Sequence, residues 1–167
     1  LADSVDKALP YLEEVNNTAG LSPTTLLEIG MLNALCEYKS GNRLEGLNQA
    51  KSILNQYRDI AFKPSVAYQY CIYGEMLNNS GNYAESIRVL NEGLDFSEQN
   101  GISMYKGKLM KALADSYHKS GDYAKALAYT TLYMQYSDSI HDIDRERVIE
   151  DARVRHNIAL QETKIAR

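Results

Sequence analysis

The sequence predicts an all-α protein: about three helix pairs, preceded by a flanking helix and followed by a long C-terminal helix. Three observations carry that expectation. Ser40-Gly41-Asn42 returns as Ser80-Gly81-Asn82 and as Ser120-Gly121-Asp122, in steps of 40 residues, and a fixed period of this size marks one helical unit reused along a stack. Apolar residues at helical spacing lie on both sides of each copy, upstream from Ile29 to Leu35, Tyr68 to Leu77 and Leu109 to Tyr117. No alternating stretch is long enough for a strand.

Residues 3–19 read as the flanking helix, with Val5, Ala8, Leu9, Leu12 and Val15 on one face. Pro10 conflicts with it, because proline inside a helix removes a hydrogen bond and clashes with the preceding turn. The helix therefore kinks there or starts near Leu9. Ser22-Pro23 then supplies a cap and a first-turn proline, placing the first pair at about 23–39 and 43–58. Lys63-Pro64 opens the second pair, 64–79 and 83–98, which Asn100-Gly101 closes; the third spans 103–119 and 123–138. The repeats are thus 22–61, 62–101 and 102–139.

Within each repeat the Gly joins the two helices. Gly41, Gly81 and Gly121 fit the left-handed position just past a helix end, where a side chain costs roughly 1 kcal/mol or more. The next residue is placed to cap the following helix, as a capping box in Asn42 with Glu45 and Asn82 with Glu85, and as a simple cap in Asp122, which faces Lys125.

Residues 140–167 differ in kind. From His141 to His156 charge is dense and no turn residue intervenes, while a thin apolar stripe persists through Val148, Ala152, Val154, Ile158 and Ile165. One long, largely solvated helix is expected. It either caps the last repeat or runs on as a connector into a missing domain.

The repeat resembles the tetratricopeptide repeat over residues 22 to about 139. A small residue stands seven before each turn Gly (Ala34, Gly74, Ala114) and another five after it (Gly46, Ser86, Ala126). The large residue four before the Gly is met by Leu77 and Tyr117 and missed by Glu37; the aromatic two after it is met by Tyr83 and Tyr123 and missed by Arg43. The period of 40 exceeds the standard of about 34, and longer versions resemble those of bacterial sensor and regulatory proteins. The resemblance implies an α-α superhelix whose first helices line a concave groove.

Length and composition are those of one soluble domain. The net charge of -4 divides unevenly, -6 over residues 1–100 and +2 over the rest, and neither part has the basic excess that nucleic acid requires. Cys36 and Cys71 are too few for a disulfide framework, lack zinc spacing, and read as small buried hydrophobes. No signal peptide and no apolar run near ~20 residues is found. The chain opens on Leu1 and closes on Arg167 within a helical pattern, so a piece of a longer protein is expected, with a membrane span possible outside it.

No catalytic apparatus is found. Ser4-x-x-Lys7 and Ser103-x-x-Lys106 lack a partner motif, and His118, His141 and His156 are scattered. Asp142-x-Asp144-x-Glu146 has Arg147 where a calcium loop needs Gly. No cofactor or metal is expected, and the chain is read as a non-enzyme.

Binding is the stronger expectation. Counted by phase from the turn Gly, the inward face holds Glu28, Met31, Leu35, Tyr38 and Lys39; then Tyr68, Cys71, Glu75, Asn78 and Asn79; then Lys108, Lys111, Asp115, His118 and Lys119. The candidate ligand-binding set is Tyr38, Tyr68, Glu75, Asn78, Lys108, Lys111, Asp115 and His118. The last four form one polar helical stripe of mixed sign, suited to an extended peptide or simply to solvent. The Lys-Asn-Arg clamp of chaperone-binding arrays is absent, since Met31 and Leu35 stand there. What the resemblance implies is a non-catalytic protein- or peptide-binding module, the sensor or regulatory part of a larger bacterial signal-transduction protein. The favoured setting is the periplasmic side of a membrane-anchored protein; the alternative is a cytoplasmic scaffold mediating protein–protein assembly.

Overall fold

The computed structural model describes residues 20–165, and the expected flanking helix over 3–19 lies outside them. The described residues are all-α, with six helices: α1 Pro23–Lys39, α2 Arg43–Tyr57, α3 Lys63–Asn79, α4 Tyr83–Gln99, α5 Lys106–Lys119 and α6 Tyr123–Ile165. By contact the chain divides into two compact units, Leu1–Thr130 and Thr131–Arg167.

Local chemistry explains the breaks between helices. Gly41, Gly81 and Gly121 have φ of 109°, 79° and 87°, the left-handed geometry that reverses the chain without a side-chain penalty. After each, the next N–H reaches back to the helix just finished: Asn42 to Glu37 O, Asn82 to Leu77 O and Asp122 to Tyr117 O, at 3.1, 3.0 and 2.9 Å. Helix-end carbonyls are satisfied this way, so the chain can turn in two residues. The same bond recurs between pairs, where Ile102 N donates to Ser97 O at 2.8 Å beside Gly101.

The expected capping differs in two of three repeats. Neither Asn42 nor Asn82 caps through its side chain. Asn42 Nδ2 instead donates to Glu37 Oε2 at 2.8 Å, and Glu45 and Glu85 are occupied by Gln49 and Arg88. The cap forms at Asp122, whose Oδ1 accepts from Lys125 N at 3.1 Å; a carboxylate is the stronger acceptor at the positive end of a helix. Ser22 caps α1, accepting from Thr25 N at 3.2 Å.

Two boundaries also move. Helix α5 starts at Lys106 rather than 103, because Ile102 is buried and Ser103 O closes a turn onto Lys106 N. Helix α6 runs without interruption for 43 residues, so the division drawn at 139 falls inside it. Nothing in Tyr136-Ser137-Asp138-Ser139-Ile140 forces a stop: it has no Gly or Pro, and Ser139 Oγ turns back onto Tyr136 O at 2.7 Å. In the second unit Leu132, Met134, Ile143 and Val154 are exposed; the stripe expected at Val148, Ala152, Ile158 and Ile165 falls on side chains outside the described ones.

In the first unit α1, α3 and α5 contact one another in a row, with α2 packed on α1 and α3 and α4 on α3 and α5. This is a helical-repeat arrangement, in which each pair buries its apolar face against the next. The core is correspondingly a seam, running through Leu27, Met31, Leu54, Val66, Tyr70, Leu90, Leu109 and Leu113. Small residues set how closely helices approach. A Cβ on Gly46 would lie 2.5 Å from Ala34 O and 2.7 Å from Tyr38 N, so α2 presses on the backbone of α1 there. At the matching place Ser86 is fully buried and donates to Gly74 O at 2.8 Å; Ser116 Oγ lies 3.0 Å from Ser86 Oγ and links the next repeat to the same point.

Candidate functional site

Because α2 and α4 cover one side of the row, the open side is built from the remaining faces of α1, α3 and α5. Five of the eight residues singled out by phase meet there. Glu75, Asn78, Lys108, Lys111 and Asp115, with Asn79 and Ala112, line a cleft of about 440 Å³ between α3 and α5. Their convergence follows from helical spacing: Lys108, Lys111 and Asp115 recur at three and four residues, while Leu109, Ala112, Leu113 and Ser116 turn the other stripe of α5 into the core.

Asn78 and Asp115 organise the cleft. Asn78 Nδ2 donates to Asp115 Oδ2 at 2.5 Å across the two helices. Lys119 Nζ sits 2.8 Å from the same carboxylate oxygen. Partial burial pushes the Asp115 carboxyl up, but the hydrogen bonds from Lys119 and Asn78 outweigh it and leave it below its ordinary value. Asn78 is only 6 % exposed, and no protein donor reaches its Oδ1. Turning the amide over would set that oxygen against the Asp115 carboxylate, so the present orientation is the one the electrostatics allow.

The other three fall elsewhere. Tyr68 lies beside the cleft: the Lys108 ammonium stands 5.0 Å from its ring centroid, and the Tyr105 ring packs on it at 5.2 Å. His118 belongs to a third depression with Tyr123 and Leu127, its ring edge-on to Tyr123 at 5.4 Å. Tyr38 is a joint between repeats. Its hydroxyl bonds Ser80 Oγ at 2.9 Å, in the turn after α3, and the Arg43 guanidinium lies over its ring at 5.8 Å. The turn glycines Gly41, Gly81 and Gly121 stay with the connections. Cys71, counted on the inward face, is buried at 1 % exposure, and burial pushes its thiol up to about 12.

A second cleft draws on four of the inward-face positions, Glu28, Met31, Leu35 and Tyr68, and on three residues that phase counting did not give, Leu32, Gln69 and Ile72. Met31, Leu32, Leu35, Tyr68 and Ile72, edged by Glu28 and Gln69, bound about 300 Å³ of mostly apolar space between α1 and α3. Leu32 and Ile72 lie off the positions counted from the Gly, and their signal was visible only as apolar residues beside an otherwise complete core stripe. Half of the Leu32 side chain is exposed.

No cluster of three or more metal-ligating side chains occurs among the described residues, nor any helix long and apolar enough to cross a membrane. The chain matches no protein-family model, no curated protein and no solved structure at a significant level.

Proposed function

We propose that the open face of α1, α3 and α5 is the recognition surface of a non-catalytic, tetratricopeptide-like protein- or peptide-binding module. In this reading the module serves as the sensor or regulatory part of a larger bacterial signalling protein. The observation that carries it is the convergence of Glu75, Asn78, Lys108, Lys111 and Asp115 on one cleft. Mixed charge in an open cleft suits a chain that offers backbone donors and acceptors along its length. The tetratricopeptide assignment rests on the small and aromatic residues spaced around Gly41, Gly81 and Gly121, and on helix pairs joined through those glycines.

The test is affinity capture from a bacterial lysate with the wild-type chain, Lys111→Glu and Glu75→Lys. Both side chains are exposed, so each variant should keep the wild-type melting temperature. The reading expects the captured partner to be lost or exchanged with either reversal. Unchanged recovery by folded variants would remove the cleft from the function.

A further inference from the structure

The two clefts adjoin at Tyr68, which bounds the apolar one and carries the Lys108 ammonium of the polar one on its ring. They therefore form one path with different chemistry at its two ends. The first end is closed by Met31, Leu35 and Ile72 and offers no charged group except Glu28 at its edge. At the other end Lys108, Lys111 and Lys119 surround two carboxylates, Glu75 and Asp115. Asp115 is already matched by Lys119 at 2.8 Å, whereas no carboxylate among the described residues lies within ion-pair distance of Lys111. One positive charge is thus left over.

Distance sets the spacing of a ligand that uses both ends. Along α3 the lining steps from Tyr68–Ile72 to Glu75–Asn79, about seven residues or roughly 10 Å of helix axis. Sideways, the clefts are offset by one helix spacing of about 9 Å, since one lies between α1 and α3 and the other between α3 and α5. The combined reach of about 14 Å is covered by about four residues of extended chain.

We infer that the ligand is an extended amphipathic peptide with an acidic residue about four positions from a large apolar one. The apolar side chain enters between α1 and α3, and the carboxylate meets Lys111. This assignment of ligand chemistry rests on the peptide-binding reading above.

Selection of a phage-displayed random nonapeptide library against the full chain tests it, followed by calorimetry with the selected peptide. Selected sequences should carry Leu, Ile, Met or Phe with Asp or Glu three to five positions away. Affinity should fall about tenfold or more in Lys111→Glu, and similarly in Leu32→Glu, whose half-exposed site lets the variant fold. Selection of basic sequences, or binding indifferent to Lys111→Glu and Leu32→Glu, overturns the acidic amphipathic assignment and leaves peptide binding standing. If no peptide is selected, the peptide-binding reading fails and this assignment fails with it.

Discussion

Asn78 and Asp115, 37 residues apart in sequence, are joined by a 2.5 Å hydrogen bond from the amide nitrogen to the carboxylate. The bond ties α3 to α5 on the open face and holds the buried Asn78 amide between the two helices. One pair of side chains therefore serves the packing of two repeats and the chemistry of the cleft between them.

Separating those two roles is possible. Asn78→Ala should cost about 1–2 kcal/mol, because it loses a charge-assisted bond and buried contacts, while Asn78→Leu should cost less by filling the space without a polar group. In a double-mutant cycle with Asp115→Asn by urea unfolding, a coupling near 1 kcal/mol is expected, since Asp115 is half exposed and shares its charge with Lys119. Additive effects would show that the bond contributes nothing to stability.

Acid should weaken the fold in a predictable direction. Asp115, and Glu85 through its hydrogen bond from Arg88, hold their protons less tightly folded than unfolded. A depressed folded pKa contributes stability above the unfolded value of about 4, and that contribution is lost as pH falls through the folded value. Melting temperature followed from pH 6 to pH 2 should therefore drop more steeply for wild type than for Asp115→Asn. Parallel curves would mean that Asp115 titrates alike in both states.

The glycines should divide into two classes of unequal cost. At Gly81 a Cβ would meet nothing within 4 Å, so Gly81→Val pays only for a φ of 79°, about 1–2 kcal/mol. This should exceed the cost of any single change on the exposed part of the cleft. At Gly46 even a methyl would press on the backbone of α1, and Gly46→Ala should cost about 3 kcal/mol or more. Chemical denaturation of both variants decides the order; a Gly46→Ala protein as stable as wild type would mean that α1 and α2 can move apart freely.

Alkylation should report on the core through Cys71. Its thiol is 1 % exposed and pushed up to about 12 by burial, whereas Cys36 is only partly buried. With iodoacetamide at pH 8, mass spectrometry should show Cys36 modified first and Cys71 modified at the rate of opening of the first unit. Equal rates for the two would contradict a packed seam between α3 and its neighbours.

Much of this architecture is legible in the chain because it is local. Gly41, Gly81 and Gly121 announce their turns through a conformational demand that few other residues meet, and their spacing fixes the phase of every residue between them. That phase was enough to bring Glu75, Asn78, Lys108, Lys111 and Asp115 to one face, since positions on a helix follow from 3.6 residues per turn. It was not enough where the outcome depends on competition between partners. Asn42 and Asn82 occupy capping positions, yet Asn42 bonds Glu37, and Glu85 is held by Arg88, a choice made only once the helices are formed. Tyr38 has the right phase for the groove and is instead held by Ser80 from the next repeat. The apolar cleft was legible only in part: Glu28, Met31, Leu35 and Tyr68 have the inward phase, while Leu32, Gln69 and Ile72 do not. Its space exists because α1 and α3 approach at a particular distance, set by side-chain volumes on both helices at once, which no single stretch of sequence encodes.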